Sequence, residues 1–314
     1  MTTFDLQQRL ARLRELPEPR ADVLVDGQMP DLYARKVYAI MGATVTDRGP
    51  HISETAGINV AILECPPGKG VGLHNHATAE VLMPISGTWR FDWGAGSEVG
   101  VHLGPCDVFS VPVGVNRRFT NRSAQPALMF AVVQGDGVAN TVKLAASVIE
   151  EGRARGLEVD DDGRLIGGGL SFPPRELHIP ELEFSRPEVL ARIAHFHDLD
   201  ARPREDGGEE LMALSSAPGS AAAVHDAVGF SLSFLRLEAG GQTAVGAADV
   251  HLLMPLDGQW RLEVGGQTFE LRATDVFAIP AGMHGTLSAL GSEAALCLSL
   301  VGDGSRVGVE ANSP

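Results

Sequence analysis

The chain is poor in cysteine and short of positive charge. Its three cysteines, Cys65, Cys106 and Cys297, stand far apart with no CxxC spacing. That excludes a disulfide framework and suits reduced thiols in a cytosolic protein. Lysine and arginine number 25 against 40 aspartates and glutamates, for a formal net charge of −15. Nothing in that balance neutralises phosphates, so nucleic acid is excluded as a partner, and an anionic membrane surface with it. No apolar run approaches membrane-spanning length. The opening stretch, MTTFDLQQRLARLRELPEP, is charged throughout and lacks the apolar core of a signal peptide. A cytoplasmic protein is expected.

What the chain does have is glycine, 37 residues in 314, which suits a turn-rich β protein. From about Asp31 the sequence runs in short β-rich pieces broken by glycine and proline: VYAIM, INVAILE, VLMPI, TWRFDW, DVFSVP, ALMFAVV. Short strands at turn-punctuated intervals indicate a sandwich or barrel. Ahead of them, Leu6, Leu10 and Leu13 are spaced as one face of an amphipathic helix that Pro17 and Pro19 close. A helical arm over 1–30 is therefore expected.

The β texture repeats. EVLMPISGTWRF at 80–91 returns as HLLMPLDGQWRL at 251–262, and DVFSVPVG at 107–114 returns as DVFAIPAG at 275–282. The same two blocks in the same order indicate a tandem duplication. The expected domains are 31–147 and 209–303, followed by a tail at 304–314. The segment 148–208 between them differs in character. VIEEGRARG reads as a helix, RPEVLARIAHFH at 186–197 as a second short helix, and DARPREDGGEE as a solvated linker.

One constellation in the first repeat carries chemistry. Gly68, His74, His76, Glu80 and Gly87 obey G-x5-H-x-H-x3-E-x6-G. Histidines at i and i+2 of a strand share a face. With a carboxylate four residues on, they form a ligand set for a divalent transition metal. The arrangement resembles the first conserved motif of the cupin superfamily. The second motif of that family, G-x5-P-x-G-x2-H-x3-N, follows with two departures. Cys106 stands at its first glycine, Pro112, Gly114 and Asn121 fall in register, and Arg117 holds the histidine position. In the family that histidine is normally the last protein ligand. A guanidinium stays protonated and has no lone pair to offer a metal.

The resemblance implies an all-β bicupin, two tandem jelly-roll barrels with an N-terminal helix and a short helical inter-barrel segment. It implies one working site, because the second repeat has Val245, Ala247 and His251 in place of His74, His76 and Glu80. There His284 falls one residue before the motif-two position, which is Gly285. Arg117 has three readings: a buried partner of Glu80 that neutralises the carboxylate so that the metal is lost, a rim clamp for a substrate carboxylate that leaves His74, His76 and Glu80 as a facial triad with open positions, or a surface residue beside Arg118. Asn116 or a water can complete the metal shell. His102, His51 and His225 read as surface or loop residues, and His195 and His197 as part of the inter-barrel helix. Trp89 and Trp260 read as barrel packing, and Cys106 as a small buried hydrophobe.

The resemblance extends distantly to the gentisate, salicylate and hydroxynaphthoate type ring-cleaving dioxygenases. It implies a metal-dependent oxygenase acting on a small organic acid, aromatic acids among the candidates. Fe(II) is the favoured ion, with Mn, Ni or Zn as alternatives. His74, His76 and Glu80 hold the metal, and Arg117 meets either substrate or Glu80. Two other classes stay open: a non-redox metal-dependent isomerase or lyase, and a binding or structural barrel whose metal site has decayed. A homodimer or higher even oligomer is expected, since exposed strand edges invite pairing.

Overall fold

The computed structural model describes residues 5–19, 25–42, 49–54, 56–94, 96, 99–135, 142–161, 166, 182–217, 219–226 and 228–303. The tail at 304–314 and part of the inter-barrel segment lie outside the described residues. The chain divides into two compact units, one of residues 17–193 and one of 1–16 with 194–314.

In the unit 17–193, one sheet runs in the order Val108–Val111, Glu80–Pro84, Ala127–Gln134, Ile58–Cys65, Lys36–Met41. The facing sheet runs Val142–Leu144, His74–His76, Arg117–Asn121, Trp89–Trp93, Val99–Leu103. Between them lies an apolar core that includes Trp89, Phe91, Phe109, Phe119 and Met129. The other unit repeats the order. Asp275–Ile279, His251–Pro255, Ala295–Gly302, Phe230–Leu237 and Glu209–Ser215 form one sheet; Gln242–Gly246, His284–Leu290, Gln259–Val264 and Gln267–Arg272 form the other. Alternation is plain in Gln259–Val264, where Trp260, Leu262 and Val264 turn inward and Gln259, Arg261 and Glu263 outward. Both tryptophans are fully buried and each donates its indole N–H to a turn carbonyl, Ser86 for Trp89 and Asp257 for Trp260. Two jelly-roll barrels are present, as the repeat implied.

The turns repeat as closely as the strands. Gly87 and Gly258 both take positive φ, +76° and +69°. A Cβ on either would sit 2.7 Å from the methyl of Ala127 or Ala295 respectively. Cys106 and Thr274 are the non-glycine residues with positive φ among those described, at 68° and 69°. They occupy the same place in the two barrels, where the family pattern has glycine. Each donates its N–H to a proline carbonyl, Pro84 or Pro255. The following aspartate caps the turn in both, Asp107 accepting from Gly104 N and Asp275 from Arg272 N.

Three expectations are corrected. The N-terminal residues do not form an amphipathic helix. Leu6–Arg9 and Leu13–Glu15 are 3-10 turns flanking a strand, Leu10–Arg12, which pairs antiparallel with Asp275–Ile279. Strand pairing wins over helical periodicity because Asp275 offers a buried carboxylate to both Arg12 (2.7 Å) and Arg14 (3.0 Å), and the added strand covers a sheet edge. The stretch read as a solvated linker is a hairpin, with Ala201–Pro203 pairing against Glu209–Ser215. The helix expected over 186–197 stops early, running Arg186–Leu190 behind a capping box of Ser185 and Glu188. The helix Ala146–Ala154 forms as expected. Among the described residues, no helix is long and apolar enough to cross a membrane.

Candidate metal centre

His74 and His76 share one face of a three-residue strand. Glu80 opens the next strand, opposite Val111 and Val133. The two cupin-like motifs are stitched together here. Gly114 N donates to the His76 carbonyl, His74 pairs with Arg117 in the sheet register, and Asn121 donates to the Cys65 carbonyl while accepting from Ser123 N. One ligand atom from each of His74, His76 and Glu80 lies within 4.8 Å of the others, and this is the one such group of three found among the described residues. The imidazole rings stand 5.2 Å apart, edge to face.

Protonation favours ligation. His74 Nδ1 lies 2.8 Å from the Gly72 carbonyl, which accepts its proton and leaves Nε2 as the lone-pair nitrogen. Burial first, and the Arg117 charge second, push the His74 pKa down to about 3. His76 is pushed well below its ordinary value by the same two causes. Both rings are neutral at neutral pH, the form that binds metal.

Arg117 is 1% exposed and turned onto Glu80. Its Nε and Nη2 donate to Glu80 Oε2 at 3.1 and 2.6 Å, while Nη1 reaches the His74 carbonyl at 3.4 Å. Burial draws the guanidinium pKa down and Glu80 opposes the shift. The structure thus makes Arg117 the buried partner of Glu80 rather than a rim or surface residue, but the loss of the metal expected with that pairing does not follow, because both donors fall on one carboxylate oxygen. The carboxylate divides its work: Oε2 takes Arg117, and Oε1 faces His76 Nε2 at 3.9 Å. The residues fit a three-ligand metal set. They do not supply a fourth ligand from motif two.

The three ligands open onto a cavity of about 100 Å³. Its walls are mostly apolar, among them Val71, Phe119, Ala131 and Val133. Arg35 also lines it, a residue that sequence reasoning missed. Arg35 makes a two-pronged contact with Asp26 at 2.6 and 3.1 Å. Asp26, wholly buried, also accepts from Gly72 N at 2.8 Å, and Gly72 is the residue whose carbonyl holds His74. Neither Asp26 nor Arg35 falls in a motif, so no local signal marked them.

Among the described residues the second barrel has no counterpart. Val245 is packed in the core and Ala247 half-buried. His251 spends both ring nitrogens: Nδ1 accepts from Gly246 N at 2.9 Å, so Nε2 carries the proton and donates to Ser299 Oγ at 2.8 Å. His284 is exposed, as are His51, His102, His197 and His225, while His195 is half-buried. All three cysteines are buried.

No protein-family model and no curated protein matches the chain. Among solved structures, the chain is similar to a mutant of Bacillus subtilis oxalate decarboxylase, with 15% identity and a TM-score of 0.60 over 95% of this chain and 78% of that one. The Lactobacillus farciminis oxalate decarboxylase formate complex matches at 14% identity and TM-score 0.60, covering 94% and 86%. AerE from Microcystis aeruginosa matches at 9% identity and TM-score 0.52, covering 85% and 91%. Another structure of the Bacillus enzyme is described through its Mn(II) centers. At these identities the likeness establishes the bicupin fold.

Proposed function

We propose that this bicupin is a metal-dependent enzyme with one site, in the first barrel, that oxygenates a small, non-aromatic carboxylic acid. One observation carries the reading: His74, His76 and Glu80 converge, with both imidazoles neutral, on a buried and mostly apolar cavity. A two-histidine, one-carboxylate set with open positions suits Fe(II), which when bound supplies the means to activate dioxygen. Arg117 fixes the Glu80 carboxylate and leaves Oε1 toward the histidines.

Cavity size and charge narrow the substrate. A dry cavity that takes benzene measures roughly 150 Å³; this one is about 100 Å³. A small aliphatic acid therefore fits better than an aromatic one. Glu80 is balanced by Arg117, Arg35 by Asp26, and the histidines are neutral. A divalent ion entering this neutral set brings charge that an anionic substrate offsets. The working unit is taken to be a homodimer of cytoplasmic protein.

A second reading, a non-redox metal-dependent lyase, is favoured by the likeness to oxalate decarboxylases, one of them described through Mn(II). The test is metal content of anaerobically purified wild type and His76→Ala, followed by oxygen uptake with short-chain acids. Stoichiometric metal that disappears in the variant, with acid-dependent oxygen uptake, supports the oxygenase. Metal-dependent turnover without oxygen selects the lyase. No metal in either protein, even after reconstitution, overturns both and leaves Arg117–Glu80 as the closed pair of a binding or structural barrel.

A further inference from the structure

His74 can bind metal only if one ring nitrogen keeps its lone pair, and its neighbours decide which. Nδ1 faces the Gly72 carbonyl at 2.8 Å. A carbonyl only accepts, so the ring proton sits on Nδ1 and Nε2 stays open. Gly72 lies just ahead of the strand His74–His76, so whatever fixes Gly72 also fixes the ring. Its N–H donates to Asp26 Oδ2 at 2.8 Å. We infer that Asp26 is a positioning residue for the metal centre, acting through Gly72 to set the tautomer and direction of His74. The inference rests on the metal-binding reading above.

Three observations support it. The first is how firmly Asp26 is held. Its wholly buried carboxylate takes Gly27 N at 3.0 Å and Arg35 Nη2 at 3.1 Å on Oδ1, and Arg35 Nη1 at 2.6 Å beside Gly72 N on Oδ2. Those bonds fill the acceptor sites of a carboxylate. Burial by itself would raise the Asp26 pKa, but the Arg35 charge and the hydrogen bonds outweigh it and hold the group below its ordinary value, so the acceptor persists at neutral pH. The second is the glycine. A Cβ on Gly72 would stand 3.1 Å from both Asp26 Cβ and Val148 Cγ1, so Asp26 comes this close only to a residue without a side chain. The third is the repeat. Val245 pairs with Gly285 as His74 pairs with Arg117, which sets Thr243 against Gly72. The Thr243 hydroxyl accepts from Arg204 Nε at 3.0 Å instead. Lys36 pairs with Glu64 as Glu209 pairs with Arg236, which sets Arg35 against Gly208. The histidine, its glycine and the arginine that holds Asp26 are thus replaced together in the second barrel.

A purely structural role would leave Asp26 no more than a pin for the Val25–Gln28 turn. The two roles separate at the imidazole. Two double variants of the full chain are compared. The first, Asp26→Leu with Arg35→Met, removes both buried charges and the acceptor for Gly72. The second, Asp26→Asn with Arg35→Gln, removes the same charges but keeps an acceptor oxygen. Nitrogen-15 NMR of the imidazoles at neutral pH reads each tautomer in metal-free protein, and Mn(II) alone is then titrated by calorimetry. Wild type is expected to show His74 protonated on Nδ1 and His251, an internal reference, protonated on Nε2. The first variant is expected to mix the His74 tautomers and to bind Mn(II) at least about tenfold more weakly than the second, the scale on which losing a ligand's outer partner acts. His251 should not change, and the second variant should keep one His74 tautomer and most of the affinity. A folded first variant with wild-type tautomer and affinity overturns the inference. Equal losses in both variants also overturn it, because they assign the effect to the charges and not to Gly72. If the first variant does not fold, Gly72→Thr takes its place, since its Cβ presses on Asp26; wild-type tautomer and affinity there overturn the inference as well. A His74 tautomer that depends on Asp26 in a protein that never binds Mn(II) keeps Asp26 as the holder of His74 and sinks the metal reading.

Discussion

The two barrels follow the same strand order and differ in what their interiors do. In the first, the small Ala131 lines the cavity that Glu80 also lines. At the matching places in the second, Ser299 bonds His251. In the first, a strand presents His74 and His76 to a metal-sized gap; in the second, the matching strand buries Val245 among Leu253, Ile279 and Leu287. One barrel keeps polar groups around a hollow; among the described residues of the other, Val245 joins the core and the single buried histidine is tied to its neighbours. The difference shows that one fold can hold a ligand-type set of inward-facing side chains or lack it, so the fold alone does not assign chemistry. Nor is it readily reversed. A Cβ at Gly208, the Arg35 position, would press on Leu237 and lie 2.7 Å from the Arg236 carbonyl.

The sharpest way to break this contrast is to unpair Arg117 and Glu80, both buried inside the first barrel. Arg117→Met leaves Glu80 buried without its partner and is expected to cost about 3–5 kcal/mol, read by urea denaturation. Adding Glu80→Gln should recover most of that loss. His251→Leu in the second barrel strands only neutral groups, for about 1–3 kcal/mol. Equal costs for Arg117→Met and His251→Leu would erase the distinction.

Acid sharpens it next. His251 has its pKa pushed down to about 4, by burial first and Arg204 second, and His74 to about 3. Below an ordinary value near 6.5 the unfolded chain takes up the proton first, so it binds more protons than the folded one. Stability is therefore full above pH 6.5 and falls as pH drops, through about 4 for His251 and on toward 3 for His74. The His251 share is about 3 kcal/mol. His251→Gln should make the fall in the urea midpoint between about pH 6.5 and 4 shallower, while the fall below 4 that His74 causes remains. A wild-type profile level from about pH 7 to 4 would contradict the shifts.

Metal loading should tell the barrels apart directly. His76→Ala is expected to lower Mn(II) or Fe(II) affinity by more than about 100-fold, beyond what loss of an outer-shell partner does. His251→Ala should leave stoichiometry unchanged, as measured by plasma mass spectrometry. The smallest effect tests where the barrels agree. Cys106→Gly and Thr274→Gly each relieve a left-handed backbone that costs an L-residue about 1–2 kcal/mol, partly offset by glycine's greater chain entropy. A net gain of about 0.5 kcal/mol is expected, larger for the β-branched Thr274. Loss of stability in both would mean the side chains matter more than the turn.

Much of this was legible in the chain. The echo of EVLMPISGTWRF in HLLMPLDGQWRL announced two barrels because strand alternation and turn geometry are local, and local rules repeat with the sequence. His74 and His76 were legible because period two puts them on one side of a strand, and Glu80 because the motif spacing brings the start of the next strand to them. The N-terminal strand was not: Leu6, Leu10 and Leu13 satisfy helical spacing, and only an open sheet edge with Asp275 waiting at it turns the segment extended. The 201–203 hairpin was hidden for a similar reason. Its strand, ARP, is three residues long and exposed, and is set by its pairing with Glu209–Ser215.

By itself, then, the sequence determined the fold class, the duplication, which repeat keeps the ligands and where motif two departs from its pattern, since each depends on residue identity at short spacing. Tertiary structure alone decided which way Arg117 turns, that Asp26 and Arg35 belong to the same cavity, and how large that cavity is. Those depend on residues far apart in the chain being buried together, where the cost of leaving a charge unpaired selects its partner.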